Sequence, residues 1–139
     1  MPENSENLTV SVVVPVYNGA EHIGTCIEAL LHQDFKPDQF EIIVVNNRST
    51  DNTQEIIDRY PVRSLYESKR GPAAARNAGI RASTAKFIAF TDADCIPHDD
   101  WLSKLIFSMT DSVCGAGGEI VSYYEDDAVS TFIDQIVFR

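Results

Sequence analysis

Cysteine is scarce and unpatterned. Cys26, Cys95 and Cys114 are odd in number and share no metal-ligand spacing, which argues against a thiolate zinc site and predicts three reduced thiols without a disulfide. Basic residues are outnumbered 11 to 21 by acidic ones, for a net charge of −10. Nucleic-acid binding needs a basic surface to displace counterions, so no nucleic-acid partner is expected. No apolar run approaches the ~20 residues that cross a bilayer, and residues 1–6 lack the basic and apolar regions of a signal peptide. These features predict a cytoplasmic chain. There is no G-x-x-x-x-G-K-[ST] loop, and no G-x-G-x-x-G follows the first apolar segment, so P-loop and dinucleotide binding lose their main support. His22, His32 and His98 share no ligand spacing, and no Ser-His-Asp or Cys-His arrangement emerges.

What is present is enough apolar material, 44% of 139 residues, for one modest core. Residues 9–16 (TVSVVVPV) are a continuous β-branched run closed by Pro15 and the turn residues Asn18-Gly19, the pattern of a strand buried on both faces. A helix follows, with Ile23, Cys26, Ile27, Leu30 and Leu31 forming one apolar stripe. Residues 40–45 (FEIIVV) repeat the buried-strand signal, and residues 49–52 offer N-caps for a helix carrying Ile56, Ile57 and Tyr60. A shorter strand is expected over residues 62–66. Gly71-Pro72 then opens a helix whose Ala73, Ala74, Ala75, Ala78 and Ala82 let it lie close to its neighbours. Residues 86–91 (KFIAFT) read as a fourth strand, and a helix from about Asp99 carries Leu102, Leu105, Ile106 and Met109. Residues 113–121 read as extended, loosened by Gly115, Gly117 and Gly118. Val129, Phe132, Ile133 and Ile136 describe an amphipathic helix. The expected organisation is a tail over residues 1–8, an α/β domain over 9–122 and this helix over 123–139, whose apolar stripe packs back on the domain or drives self-association.

Strands alternating with helices imply right-handed βαβ crossovers, hence a Rossmann-like, mostly parallel sheet with helices on both faces. Ligands of such sheets sit at the carboxyl ends of the strands. That rule gathers residues 15–18, 46–49 and 92–94 into one candidate site. The charge pattern converges there too. Seven basic residues fall within residues 59–86 beside the single acid Glu67, whereas ten acids lie from Asp92 onward with only Lys104 and Arg139 as bases. Solvated helix faces are the ordinary explanation for most of these charges.

Asp92-Ala93-Asp94 places two carboxylates at the mouth of an apolar strand. Their repulsion is relieved by a cation, and hard oxygen ligands favour Mg²⁺ or Mn²⁺, which leave positions open for phosphate oxygens. A helix cap and turn is the plain alternative. Arg76, inside the basic belt, offers two donors to a diphosphate oxygen or a base carbonyl, or else is an ordinary surface arginine. Tyr17 can stack on a base or simply form the rim of the core. Cys95 adjoins the acidic motif as a candidate reactive thiol, and His98 lies near it.

Taken together, residues 11–19 (SVVVPVYNG), 41–51 (EIIVVNNRSTD), 71–79 (GPAAARNAG) and 90–94 (FTDAD) resemble glycosyltransferase family 2, in order and at compatible spacing. The resemblance spans roughly residues 9 to 122. It implies a glycosyltransferase A-type nucleotide-binding fold and metal-assisted transfer of a sugar, with inversion, from a nucleotide diphosphate sugar to an acceptor hydroxyl. It places Pro15 and Tyr17 beside the nucleoside, Asn47 at the base, Arg76 near the nucleotide, Asp92 toward ribose or sugar, and Asp94 on a divalent cation. A UDP-sugar is the favoured donor, and the acceptor is expected close to a membrane surface, with the protein peripheral to it. Two departures stand out. The family often carries a carboxylate where Asn46 and Asn47 stand, and an amide both accepts and donates, leaving base preference open. Family members also place the catalytic base well beyond the acidic motif, so none of Glu119, Glu125, Asp126 and Asp127 is assigned that role and the chain is expected to stop short of the acceptor region. The competing reading is a non-catalytic nucleotide-sugar-binding module or subunit. A nucleotidyltransferase would want a Gly- and Lys-rich loop where Pro15-Val16-Tyr17-Asn18 stands.

Overall fold

The computed structural model describes residues 8–121 and 137–138. The chain runs β1 (Val10–Val16), α1 (Ile23–Leu31), β2 (Phe40–Asn46), α2 (Thr53–Ile57), β3 (Arg63–Tyr66), α3 (Pro72–Ala82), β4 (Phe87–Phe90), α4 (Trp101–Ser108), β5 (Gly115–Ala116) and β6 (Val137–Phe138). The first four strands form one sheet in the order β3-β2-β1-β4, parallel throughout. All four therefore end on the same edge. The expected Rossmann-like α/β sheet is what forms.

Strand β1 shows why both faces must be covered. Successive side chains alternate, so Val10, Val12, Val14 and Val16 face a layer with Ile23, Cys26, Ile27 and Leu30 of α1, Ile57 of α2 and Leu102 of α4. Val13 looks the other way, where it packs with Ile43, Val45 and Ala75 of α3. Every residue of β1 is buried, as a central strand of a parallel sheet requires. Each fully buried Val, Leu or Ile contributes ~1.5–3 kcal/mol relative to exposure, so this double layer is the main source of stability.

Helix α3 lies close because its residues are small. Pro72 supplies the first helical position, where its missing N–H costs nothing, and Gly71 precedes it at φ 113°, a conformation that strains any side chain. At Gly79, a Cβ would come within 2.4 Å of Val13 Cγ1.

Three elements differ from expectation. Helix α2 ends at Ile57, and Tyr60 lies beyond it. The N–H groups of Arg59 and Tyr60 bond three residues back, to Ile56 and Ile57 carbonyls, tightening the chain ahead of Pro61, which opposes helical continuation. Tyr60 still packs against the core and donates its hydroxyl to Glu28 Oε1 at 2.9 Å. The extended segment of residues 113–121 shortens to Gly115–Ala116, consistent with its glycines and a turn closed by Val113 N–H to Thr110 O at 3.0 Å. At the far end, Val137–Phe138 is a strand paired antiparallel with Gly115–Ala116 and not the close of a helix, because these two residues supply backbone partners to the β5 strand. The stripe of Val129, Phe132, Ile133 and Ile136, and with it the expected self-association, lies outside the described residues. So does the expected tail, apart from Leu8, whose carbonyl accepts Lys86 N–H at 3.3 Å.

Candidate functional site

The ends of β1, β2 and β4 and the opening of α3 surround a cleft of about 610 Å³. Pro15, Val16 and Tyr17 enter from β1 and its end, Asn47, Arg48 and Thr50 from just after β2, Arg70 and Gly71 from the β3–α3 connection, Pro72, Ala75 and Arg76 from α3, and Asp92 and Asp94 from just after β4. Thus Pro15, Tyr17, Asn47, Arg76, Asp92 and Asp94, all singled out from sequence, line one cavity. Pro15 is buried in β1, while Tyr17 is 64% exposed, leaving its ring face available.

The floor is held by backbone stitching. Asn18 Oδ1 accepts the N–H of Thr50 at 2.7 Å, and Asn18 N–H donates to Ser49 Oγ at 2.9 Å, tying the β1 end to the β2 end. Asn46 Oδ1 accepts Ser49 N–H at 3.0 Å while its Nδ2 donates to Gln54 at 2.8 Å. Asp51 takes the capping role before α2, accepting Thr53 N–H at 3.0 Å and Ala20 N–H at 3.3 Å. The Thr53 hydroxyl bond, above all, holds the Asp51 carboxyl below its ordinary value. Asn52, the formal N-cap, makes no side-chain cap bond.

Asp92 and Asp94 occupy different environments. Arg76 Nη2 donates to Asp92 Oδ1 at 2.8 Å, joining α3 to the end of β4. Both partners are more than a third exposed, so solvent screening leaves this pair little weight in stability. Its consequence is positional. Asp94 is exposed, with Cys95 Sγ 3.9 Å from its Oδ1. Beneath the motif, Cys26 Sγ donates to the Asp92 carbonyl at 3.5 Å. A Cβ on Gly19 would meet Val16 Cγ2 at 2.5 Å and Ala93 Cβ at 3.8 Å, so the β1–α1 turn passes close to the middle residue of the motif.

Burial, joined by the charges of Cys95, Asp94 and Asp92, pushes the Cys26 thiol up to about 12. Burial also raises Cys95. Thiolate is the reacting species, so at pH 8 a maleimide should label exposed Cys114 in the native protein and Cys26 only after unfolding. Peptide mass spectrometry checks this, and native labelling of Cys26 would contradict the packing of α1.

Among the described residues, no group of three or more His, Cys, Asp or Glu side chains could hold a metal unaided. The donor set nevertheless suits a hard divalent cation in part. Asp94 offers a carboxylate, and Asp92 has a second oxygen beyond the one bonded to Arg76. Mg²⁺ or Mn²⁺ held this way fills its other positions with water and phosphate oxygens.

Sequence reasoning placed Arg76 and Asp92 in the site but did not pair them. It counted Arg48 within residues 46–49 and Arg70 within the basic belt, but gave neither a role of its own. A non-glycine residue at positive φ beside the cleft was the missing signal at Arg48, and it exists only in the fold.

An open parallel α/β sheet with its cleft across the carboxyl ends of the strands is the class these observations define. The chain belongs to glycosyl transferase family 2, whose model matches residues 11–136. It is 36% identical over 118 residues to glycosyltransferase AglE of Haloferax volcanii, a match covering 81% of this chain and 38% of that protein. Among solved structures, mannosyltransferase PcManGT from Pyrobaculum calidifontis, in complex with GDP-Man and Mn²⁺, superposes with a TM-score of 0.73 at 30% identity, over 78% of this chain and 34% of that one. S. aureus TarS 1-349 in complex with UDP-GlcNAc superposes with a TM-score of 0.66 at 29% identity, over 70% of this chain and 30% of that one. The chain thus spans between a quarter and a half of the length of these relatives. No described helix is long and apolar enough to cross a membrane.

Proposed function

We propose that residues 9–122 bind a nucleotide diphosphate sugar across the strand ends, with a divalent cation on Asp94, and that the enzyme containing this domain transfers the sugar with inversion to an acceptor hydroxyl. The observation that carries the reading is convergence. Residues from three separate strand ends and from the opening of α3, aromatic, cationic and anionic, line one cleft large enough for such a ligand. Relatives that superpose on this sheet were solved with GDP-Man and Mn²⁺ or with UDP-GlcNAc, which supports the ligand class.

In this reading Tyr17 stacks on the nucleoside, with Pro15 shaping the wall beside it. Asp92 faces ribose or sugar, and Arg76 holds Asp92 in place while presenting its remaining guanidinium donors to the nucleotide. The N-terminus of α3, opening at Gly71-Pro72 on the cleft wall, adds a partial positive charge suited to phosphate. A divalent cation would neutralise the charge that grows on the leaving diphosphate. We take a UDP-sugar as the favoured donor.

The test is a thermal-shift panel of UDP-, GDP- and dTDP-sugars with Mn²⁺ and with chelator. A ligand that binds only the native state raises apparent stability, by about 2.7 kcal/mol at a hundredfold excess over Kd. A shift with at least one nucleotide sugar, larger with Mn²⁺, is expected. No shift with any of them defeats the reading.

Arg76→Ala separates the two tasks of that residue. Its pair with Asp92 is solvent-screened, so the melting temperature should stay nearly unchanged, while nucleotide affinity should fall by ~1.5–3 kcal/mol, the value of a charge-assisted bond. Unchanged affinity in a titration would return Arg76 to a surface role.

A further inference from the structure

Helix α1 grips the acidic motif and the loop that follows it at two places. At the front, Cys26 Sγ donates to the Asp92 carbonyl at 3.5 Å. At the back, Gln33, just past the end of α1, reaches the other end of the loop. Its Nε2 donates to His98 O at 2.7 Å and to Ala29 O at 3.2 Å, and its Oε1 accepts Leu102 N–H at 2.9 Å. Gln33 is only 7% exposed, and both hydrogens of its amide are engaged inside the protein, so it has no donor left for a ligand.

The loop between these grips is longer than the gap it bridges. Along α1 and its last turn, a rise of about 1.5 Å per residue sets Cys26 and Gln33 ~10 Å apart. The chain from Asp92 to His98 reaches ~20 Å when extended. Residues 95–98 belong to no helix or strand, and Asp94 is exposed at the head of this slack segment. Its course is therefore decided by its anchors. Gln33 also supplies what the local sequence does not. Asp100, at the N-cap of α4, makes no side-chain cap bond, and the Leu102 N–H of the first turn is met by Gln33 from 69 residues away. Asp34 completes the clasp, its N–H donating to Asp99 O at 2.8 Å and its Oδ1 accepting the Ser103 hydroxyl at 2.7 Å.

We propose that Gln33 is a positioning residue for the cation site: by holding the His98 carbonyl and the first turn of α4 it fixes the loop that presents Asp94. This rests on the donor-site reading above. A ligand carried on a slack loop must be ordered when the ion binds, and that ordering is subtracted from the affinity. Partners that order a metal ligand in advance are worth about ten- to a hundredfold in metal affinity. Gln33 acts on Asp94 through the intervening chain, so the lower figure applies. The Asp92 end does not depend on it, because Arg76 and Cys26 hold that residue. Loss of Gln33 therefore weakens what the ion adds to nucleotide binding and leaves the ion-independent part in place.

The experiment is calorimetric titration with UDP and GDP, in excess Mn²⁺ and in chelator, for wild type, Gln33→Met, Ser103→Ala and Ile57→Val, each with its melting temperature. Gln33→Met keeps the length of the side chain but leaves His98 O and Leu102 N–H without it. Its affinity in Mn²⁺ should fall roughly tenfold while its affinity in chelator stays within about twofold of wild type, so the gain from the ion shrinks. Its melting temperature should fall as well, because buried groups lose their partner. Ile57→Val lowers stability by thinning the core under α2, and should keep the full gain from the ion. Ser103→Ala removes an exposed bond of the same clasp, with little effect on folding, and should shrink the gain about twofold. An undiminished gain in Gln33→Met, or a loss equal in ion and in chelator, overturns the proposal. Where that variant does not fold, an undiminished gain in Ser103→Ala does the same. A wild type that binds neither nucleotide, or binds equally well in chelator, instead defeats the donor and cation reading itself, and the proposal with it.

Discussion

Asp94→Ala should abolish the effect of Mn²⁺ on nucleotide diphosphate binding, lowering affinity in the presence of the ion by about a hundredfold, ~2.7 kcal/mol, to the value measured in chelator. Asp94 is the exposed carboxylate of the motif, whereas one oxygen of Asp92 is bonded to Arg76 at 2.8 Å. Removing Asp94 therefore takes away the ligand free to meet a cation and leaves the α3–β4 contact in place. Stability should move by no more than ~0.5 kcal/mol, as for other exposed positions. This separates a lost ligand from a damaged fold. Calorimetry with matched Mn²⁺ and chelator series decides it, and equal affinities for wild type in the two series would remove the metal from the site.

The strongest structural signals were those set by local pattern. The continuous valines of β1 and the isoleucine and valine pairs of β2 could only be strands buried on both faces, and both strands form within one residue of expectation. From alternation of strands and helices the carboxyl edge followed, and with it the grouping of Tyr17, Asn47 and Asp92. Signals that needed a partner distant in sequence were invisible. Nothing local to Arg76 announces that Asp92, sixteen residues on, will accept its guanidinium. Asn47 is the clearer case. Read alone, its amide could serve a base, yet in the fold that amide is consumed by Glu67, Lys69 and Gly71, twenty or more residues away. The end of α2 is an intermediate case, because Pro61 was visible but the apolar spacing of Tyr60 argued for continuing the helix.

Gly79→Ala should destabilise the protein by ~1–3 kcal/mol, although alanine is the better helix former by about 1 kcal/mol in an exposed helix. Two effects oppose each other, and geometry decides between them. A Cβ at position 79 would lie 2.4 Å from Val13 Cγ1, 2.9 Å from Cγ2 and 3.2 Å from Cβ. Those atoms belong to a fully buried β-branched side chain at the centre of the sheet, whose χ1 has few alternatives and whose neighbours Ile43 and Val45 are themselves fully buried. The side chain cannot swing away, so helix α3 must move off β1. That displacement carries Arg76, one turn earlier on the same helix, away from Asp92. The expected result is a lower urea midpoint together with weaker nucleotide binding that persists well below the unfolding transition. Gly79→Ala with a midpoint equal to or above wild type would show that helix propensity wins and that α3 is not seated on Val13 as tightly as the 2.4 Å approach requires.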